Sequence, residues 1–148
     1  MWRRIQQLIR GKERPQRQYV HPALGKFDFE SDLGWKRNYL IDGRNVEIVL
    51  GSDGEIPTAD MTNTAADWAR HWGDRRADVI QYIAEELSTW HQDWSPTVAN
   101  RLKLSSIHVL WPESPTTAML YFDAPDDNVR SWHVTYFGRE PKGFAFDD

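Results

Sequence analysis

Residues 35–50 read WKRNYLIDGRNVEIVL, and they carry the clearest structural signal in the chain. Trp35, Arg37, Tyr39 and Ile41 recur at every second position, which is the period of a β-strand. The dipeptide Asp42-Gly43 follows, and a second run extends from position 46 to position 50. A DG dipeptide between two such runs is a strong hairpin signal. Together with the alternating segment 24–30, this stretch predicts a three-stranded meander over residues 23–50.

After Pro57 the spacing of the apolar residues changes from every second position to every third or fourth position, which is typical of an α-helix. A first amphipathic helix is indicated by Met61, Ala65, Trp68 and Trp72. A second helix is indicated by Val79, Ile83, Leu87, Trp90 and Trp94. Gly73 suits a helix end and Asp74 a helix start, so we expect an antiparallel helical hairpin. Ser95-Pro96 predicts a short third helix that runs to about Leu102.

Strand patterns resume after the helices, over residues 104–111, 117–123 and 129–137, with a short final strand at 143–146. The order of strands, then helices, then strands favours an α+β fold over a parallel α/β fold. We therefore expect an antiparallel sheet, with three strands before the helical hairpin and three to four after it, and with the helices packed on one face.

Composition narrows the possible functions. The chain has 148 residues, eight tryptophans, no cysteine and a net charge of −4. The missing cysteines exclude disulfides, zinc ribbons, iron–sulfur clusters and thiol nucleophiles. No stretch approaches the roughly 20 apolar residues of a spanning helix, and no signal peptide is recognisable, so we expect a cytoplasmic protein. The common nucleotide-binding and hydrolase motifs are also absent, and no cofactor or metal is predicted.

The charge is divided unevenly along the chain. Residues 1–18 hold six basic residues and one acidic residue, a balance of +5, whereas the rest holds 12 basic and 21 acidic residues, a balance of −9. We interpret residues 1–18 as a basic arm and linker and residues 19–148 as one acidic domain. Such a domain favours a protein partner with a basic surface and would repel nucleic acid.

The start of the arm has the pattern of a short amphipathic helix, with apolar residues Trp2, Ile5, Leu8 and Ile9 on one face. Ten residues are too few for a stable isolated helix in water. Three interpretations stay open: a helix packed on its own domain or on a symmetry mate, an anchor on anionic lipid through residues 1–10, or a partly disordered start without a role. Trp2, Arg3 and Arg4 are the binding candidates of the lipid interpretation, which would place the protein at the membrane periphery.

The candidate catalytic residues are His108, His133 and Asp123. Both histidines alternate with apolar neighbours in strands, so they are expected on one sheet face with one strand between them. The inter-strand spacing then separates them by about 10 Å, which is too far for one metal ion and would require a bridging substrate. Asp123 opens an acidic turn for which local turn chemistry is a sufficient explanation. Asp67 and His71 lie four apart on a helix, and a surface ion pair is favoured over a metal site.

The tryptophans suggest either a core or a binding platform. The periodicity predicts core positions for Trp68, Trp72, Trp90, Trp94, Trp111 and Trp132. Trp35 shares its strand face with Arg37 and Tyr39, and the three would form an aromatic and cationic binding patch if that face is exposed.

Residues His21-Pro22-Ala23-Leu24-Gly25 lead into Phe27-Asp28-Phe29, and a late strand carries Trp132-His133-Val134. In this order of motifs, residues 20–148 resemble a group of uncharacterised bacterial domains. The resemblance implies a small bacterial α+β domain without assigned chemistry, and some acidic domains of this build are similar to immunity proteins, which neutralise a toxin by binding it. We expect a non-enzymatic protein-interaction domain, with an immunity-type inhibitor as its specific form. The alternative is a small hydrolase or carbohydrate-binding module that uses Trp with His or Asp in a cleft.

Overall fold

The computed structural model describes residues 17–52, 55–90, 95–124 and 127–147. The first half contributes four strands: β1 (Gln18–His21), β2 (Gly25–Glu30), β3 (Gly34–Ile41) and β4 (Arg44–Leu50). Three helices follow: α1 (Ala59–Arg70), α2 (Trp72–Trp90) and α3 (Ser95–Arg101). The second half contributes four more strands: β5 (Lys103–Val109), β6 (Thr117–Ala124), β7 (Asp127–Phe137) and β8 (Glu140–Asp147).

All eight strands form one sheet, in which their spatial order equals their order in the sequence. Each neighbouring pair is antiparallel except the central pair, β4 and β5, which is parallel. The chain is thus two four-stranded meanders joined by a helical crossover. The crossover returns the chain to the end of the sheet at which β4 began, so β5 runs in the same direction as β4.

The predicted sheet was wrong in strand number and in strand direction. The sequence indicated three strands before the helices and an antiparallel sheet throughout, whereas the structure has four strands before them and a mixed sheet. The missed strand, β1, lies just before the segment 23–50 over which the meander was predicted. It has only four residues, too few to show a period, and its partner β2 fixes it through the pairs Gln18 with Asp28 and Tyr19 with Phe27.

The hairpin predicted at Asp42-Gly43 is confirmed. Both residues have positive φ, 50° for Asp42 and 75° for Gly43. Positive φ at both central residues is the requirement of the type I′ turn, whose twist matches that of the strands. The turn brings Ile41 opposite Arg44 and fixes the register between β3 and β4.

The helices differ from the expected antiparallel hairpin. Thr58 caps α1 by accepting a hydrogen bond from the backbone N–H of Met61. His71 alone separates α1 from α2, and Trp72, predicted to end the first helix, begins the second. A helix hairpin needs a loop of about two to five residues, so the chain bends at His71 instead.

The helices pack on one face of the sheet and enclose the core. Trp68 of α1 contacts Tyr136 of β7 with 4.8 Å between ring centroids, and Trp72 of α2 contacts Phe122 of β6 at 5.9 Å. The strand residues on this helix-covered face alternate with those on the far face, the side of the sheet that carries Lys36, Glu47, His108, Tyr121 and His133. Of the described helices, none combines the length and apolar character needed to cross a membrane.

Candidate functional site

The structure places the two candidate catalytic histidines on the far face with one strand between them, as predicted. Tyr121 of β6 lies between the histidines, with its ring centroid 4.5 Å from that of His108 and 5.2 Å from that of His133. The three rings form a row across β5, β6 and β7. The histidines therefore contact the same tyrosine rather than each other.

His108 lies beside a small network of charges. Lys36 forms ion pairs with Glu47 at 3.2 Å and with Glu30 at 3.7 Å. Burial lowers the pKa of His108 below its ordinary value of 6.5, Glu47 opposes this shift, and the charge of Lys36 adds to it. A neutral imidazole is therefore favoured in the folded protein.

This shift predicts a pH-dependent stability. The unfolded chain binds more protons at His108 than the folded protein does, so the stability is complete above pH 6.5 and falls as the pH drops toward the folded-state pKa of His108. We expect His108→Gln to flatten the stability profile between about pH 7.5 and pH 5. Urea unfolding of both proteins across this range measures the difference, and parallel profiles would contradict the assignment.

The structure does not bring Asp123 to the two histidines. Asp123 has an exposed carboxylate that pairs with Arg44 at 3.5 Å, and it lies toward the end of the sheet rather than in the row of rings. Two clefts in the described part of the chain are lined by other residues, and neither includes His108 or His133. No group of three or more His, Asp or Glu side chains among the described residues could hold a metal ion.

Asp67 and His71 form the surface contact that was favoured over a metal site. His71 lies 3.8 Å from Asp67 and 3.9 Å from Asp74. The main partner of Asp67 is Arg75, at 2.6 Å. Asp67 therefore links α1 to α2 across the bend.

The structure buries the tryptophan of the binding patch that was expected on β3 if that face is exposed. Trp35 is only 1% exposed, and its indole N–H donates to the carbonyl of Glu55 at 2.8 Å. The side chains of Arg37 and Tyr39 share the helix-covered face and are half-buried, and Arg37 donates to the carbonyl of Lys26. These three residues stabilise the first meander. The other binding candidates, Trp2, Arg3 and Arg4, lie outside the described residues.

The surface tryptophans are ones that the periodicity assigned to the core. Trp90 is 44% exposed and Trp111 is 39% exposed, whereas Trp68, Trp72 and Trp132 are buried as predicted. Trp94 lies outside the described residues. The periodicity wrongly predicted a core position for Trp90. This residue is the last one of α2, where the apolar stripe of the helix reaches the edge of the sheet. Trp111 was placed in the predicted strand 104–111, but β5 ends at Val109 and Trp111 lies in the connection after it.

Trp90 completes a line of side chains along α2, which we call the acidic ridge: Asp78, Tyr82, Glu86 and Trp90. They recur at every fourth position, so they form one row on the helix surface. The ring of Trp90 stacks on Phe144 of β8 at 5.7 Å and meets Phe146 edge-on at 5.3 Å. The acidic ridge therefore runs toward β8, the edge strand of the sheet.

A cleft of about 160 Å³ adjoins the first half of the acidic ridge. It is lined by Trp68, Arg75, Asp78, Val79, Tyr82, Tyr136, Arg139 and Pro141. The guanidinium of Arg75 lies over the ring of Trp68 at 4.8 Å and is held by Asp67. Burial, with the negative charge that Tyr82 and Asp78 can add, raises the pKa of Tyr136 to about 12, so its hydroxyl stays protonated at neutral pH. The wall of the cleft carries the hydroxyl groups of Tyr82 and Tyr136 and the guanidinium groups of Arg75 and Arg139.

The acidic ridge was missed by sequence reasoning. The periodicity predicted a core position for Trp90, and no role was predicted for Glu86. The fourfold spacing of Asp78, Tyr82, Glu86 and Trp90 was the available signal. Residues 77–90 also contain no lysine or arginine, which is a second indication of an acidic surface.

Comparison with protein-family models, with curated proteins and with solved structures finds no match for this chain. The resemblance to uncharacterised bacterial domains and the division at residues 18 and 19 stay predictions.

Proposed function

We propose that this chain is a non-enzymatic interaction domain that binds a protein with a basic surface through the acidic ridge. The observation that carries the proposal is the combination of an exposed, firmly packed Trp90 with a helix segment, residues 77–90, that has acidic residues and no lysine or arginine. The two features supply the two parts of a binding surface, an aromatic anchor and an attractive electrostatic field.

The electrostatic part is supported by a charge distribution that lowers the stability of α2. The last turn of α2 contains no basic residue, although a helix C-terminus is stabilised by positive charge. Glu85 and Glu86 lie just before that turn, where a negative charge interacts unfavourably with the helix dipole. Charged residues that lower the stability of the element that carries them are typical of functional surfaces. On this surface they would attract a basic partner and speed its association at low salt.

The aromatic part is supported by the packing of Trp90. Contact with Phe144 and Phe146 restrains the indole, so little side-chain entropy is lost when a partner covers it. The adjoining cleft offers a recess for one side chain of the partner. Anchors of this kind dominate the binding energy of protein interfaces.

The immunity-type inhibitor is the specific form of the proposal. Such a protein binds a toxin and covers its functional surface, so it needs an interface and no catalytic centre of its own. The acidic character of residues 19–148, with 21 acidic residues against 12 basic ones outside the arm, supports a basic target.

Affinity capture from a lysate of the native host tests the proposal. The wild-type domain, Trp90→Ala and Glu86→Lys are immobilised in parallel at low and high salt. We expect a stoichiometric partner on the wild type, roughly 30-fold weaker binding for Trp90→Ala, and for Glu86→Lys a slower association whose salt dependence is reduced.

Trp111 and Glu113 provide the matched control, because both are exposed and lie in the connection between β5 and β6, away from the acidic ridge. Trp111→Ala and Glu113→Lys should capture the partner as the wild type does. Equal retention by Trp90→Ala and Trp111→Ala, or no stoichiometric partner at any salt concentration, would refute the proposal.

A further inference from the structure

A second cleft lies at the hairpin end of the sheet, where β4 and β5 begin. Its volume is about 120 Å³, and it is lined by Ile41, Asp42, Arg44, Val46, Trp72, Arg76, Leu102, Lys103 and Leu104. The floor is apolar, because Val46, Trp72, Leu102 and Leu104 belong to the core. Its polar groups come from three separate elements: the β3–β4 hairpin, α2 and the start of β5.

Three of these polar groups are cations: Arg44, Arg76 and Lys103. They converge although the domain as a whole is acidic, and Asp42 is the only acidic residue in the lining. The carboxylates of Asp42 and Asp123 offset two of these charges, which leaves one positive charge in excess around the cleft. A cluster that opposes the overall charge of its domain and surrounds a cleft is typical of an anion site.

The two guanidinium groups are oriented by the protein. Arg44 pairs with Asp123 at 3.5 Å, and Arg76 donates from Nη2 to the carbonyl of Asn100 at 3.1 Å. Each guanidinium has five N–H donors, so donors remain for a ligand. Lys103 has no ion-pair partner in the described part of the chain, which leaves its ammonium group available.

We propose that this cleft binds the phosphoryl group of a small phosphate monoester. A single carboxylate is satisfied by one planar guanidinium, whereas a phosphoryl group presents three oxygens that can bind donors from three directions. The cleft volume of about 120 Å³ is smaller than the roughly 150 Å³ of an apolar cavity that holds a benzene molecule, so the cleft would take the phosphoryl group and only part of the organic group. The apolar floor with Trp72 would contact the organic part of the ester. This site is independent of the acidic ridge and of its partner.

Calorimetric titration of the full-length chain tests the site, with inorganic phosphate and phenyl phosphate as probes. Phenyl phosphate should bind more tightly than inorganic phosphate because it also covers the apolar floor. Arg76→Gln and Lys103→Gln should each weaken phenyl phosphate binding about tenfold or more, which corresponds to the loss of one charge-assisted hydrogen bond. The indole N–H resonance of Trp72 should shift during the titration.

Lys26→Gln is the control, because Lys26 is an exposed cation that does not line the cleft. It should bind phenyl phosphate as the wild type does. Thermal unfolding of each variant separates a lost ligand contact from a lost fold. An equal loss in Lys26→Gln, no binding of phenyl phosphate by the folded wild type, or binding only to vesicles that contain phosphatidic acid would overturn the proposal.

Discussion

Gly51→Ala is expected to lower the free energy of unfolding by about 3 kcal/mol or more, because there is no room for a side chain at this position. Gly51 directly follows β4, and its N–H donates to the carbonyl of Val109 at 2.8 Å. A Cβ atom at Gly51 would overlap the carbonyl oxygen of Leu110 and lie 2.7 Å from its Cα atom. These are backbone atoms, so relief requires β4 and β5 to separate at the one parallel junction of the sheet. Urea unfolding measures the loss.

Gly73→Ala is the matched control. Gly73 lies in the first turn of α2, and a Cβ there would meet nothing within 4 Å. Alanine restricts the unfolded chain and favours the helix, so this variant should be unchanged or more stable by up to about 1 kcal/mol. Similar stability changes in the two variants would show that backbone packing at Gly51 does not hold the meanders together.

Trp132→Ala should cost about 3–5 kcal/mol, the range for removing a large aromatic side chain from a core. Trp132 is 2% exposed and lies at the centre of an aromatic cluster in the second meander. Its ring stacks on Phe144 at 5.7 Å and contacts Phe146 at 5.0 Å. Its removal leaves a cavity between α2 and the last two strands. The change is measurable by chemical denaturation or by a fall in the melting temperature.

Two substitutions separate the loss of packing from the loss of a tryptophan as such. Trp111→Ala removes a half-exposed ring and should cost less than about 1 kcal/mol. Trp132→Phe keeps a ring and removes a buried indole N–H that has no hydrogen-bond partner among the described residues, so it should cost much less than the alanine variant. Equal losses for Trp132→Ala and Trp111→Ala would contradict the assignment of Trp132 to the core.

The sequence correctly predicted those parts of the fold that depend on residues close together in the chain. The turn at Asp42-Gly43 depends on two residues that accept positive φ. The helices follow from apolar residues that recur every three to four positions. The break between α1 and α2, however, lies at His71 rather than at Gly73. The placement of His108 and His133 follows from alternation within their strands, and the contact of both rings with Tyr121 agrees with it.

The candidate site was less predictable. Trp35, Arg37 and Tyr39 alternate like an exposed strand, but the helices cover that face of the sheet. Trp90 fits the apolar stripe of α2, yet it ends the helix at the sheet edge and remains exposed. Arg44, Arg76 and Lys103 belong to three elements that are far apart in the sequence, and no local pattern relates them.

The sequence by itself determined that helices lie between two groups of strands, where the hairpin turn falls, that basic residues are in excess up to residue 18 and acidic residues after it, and that cysteine chemistry is excluded. Each of these depends on composition or on neighbours within a few residues. Only the tertiary structure decided that β1 joins the sheet, that β4 and β5 pair in parallel, which tryptophans are exposed, and that three cations surround one cleft. These features depend on contacts between segments distant along the chain, whose free energy is gained only when the complete sheet and its helices have packed together.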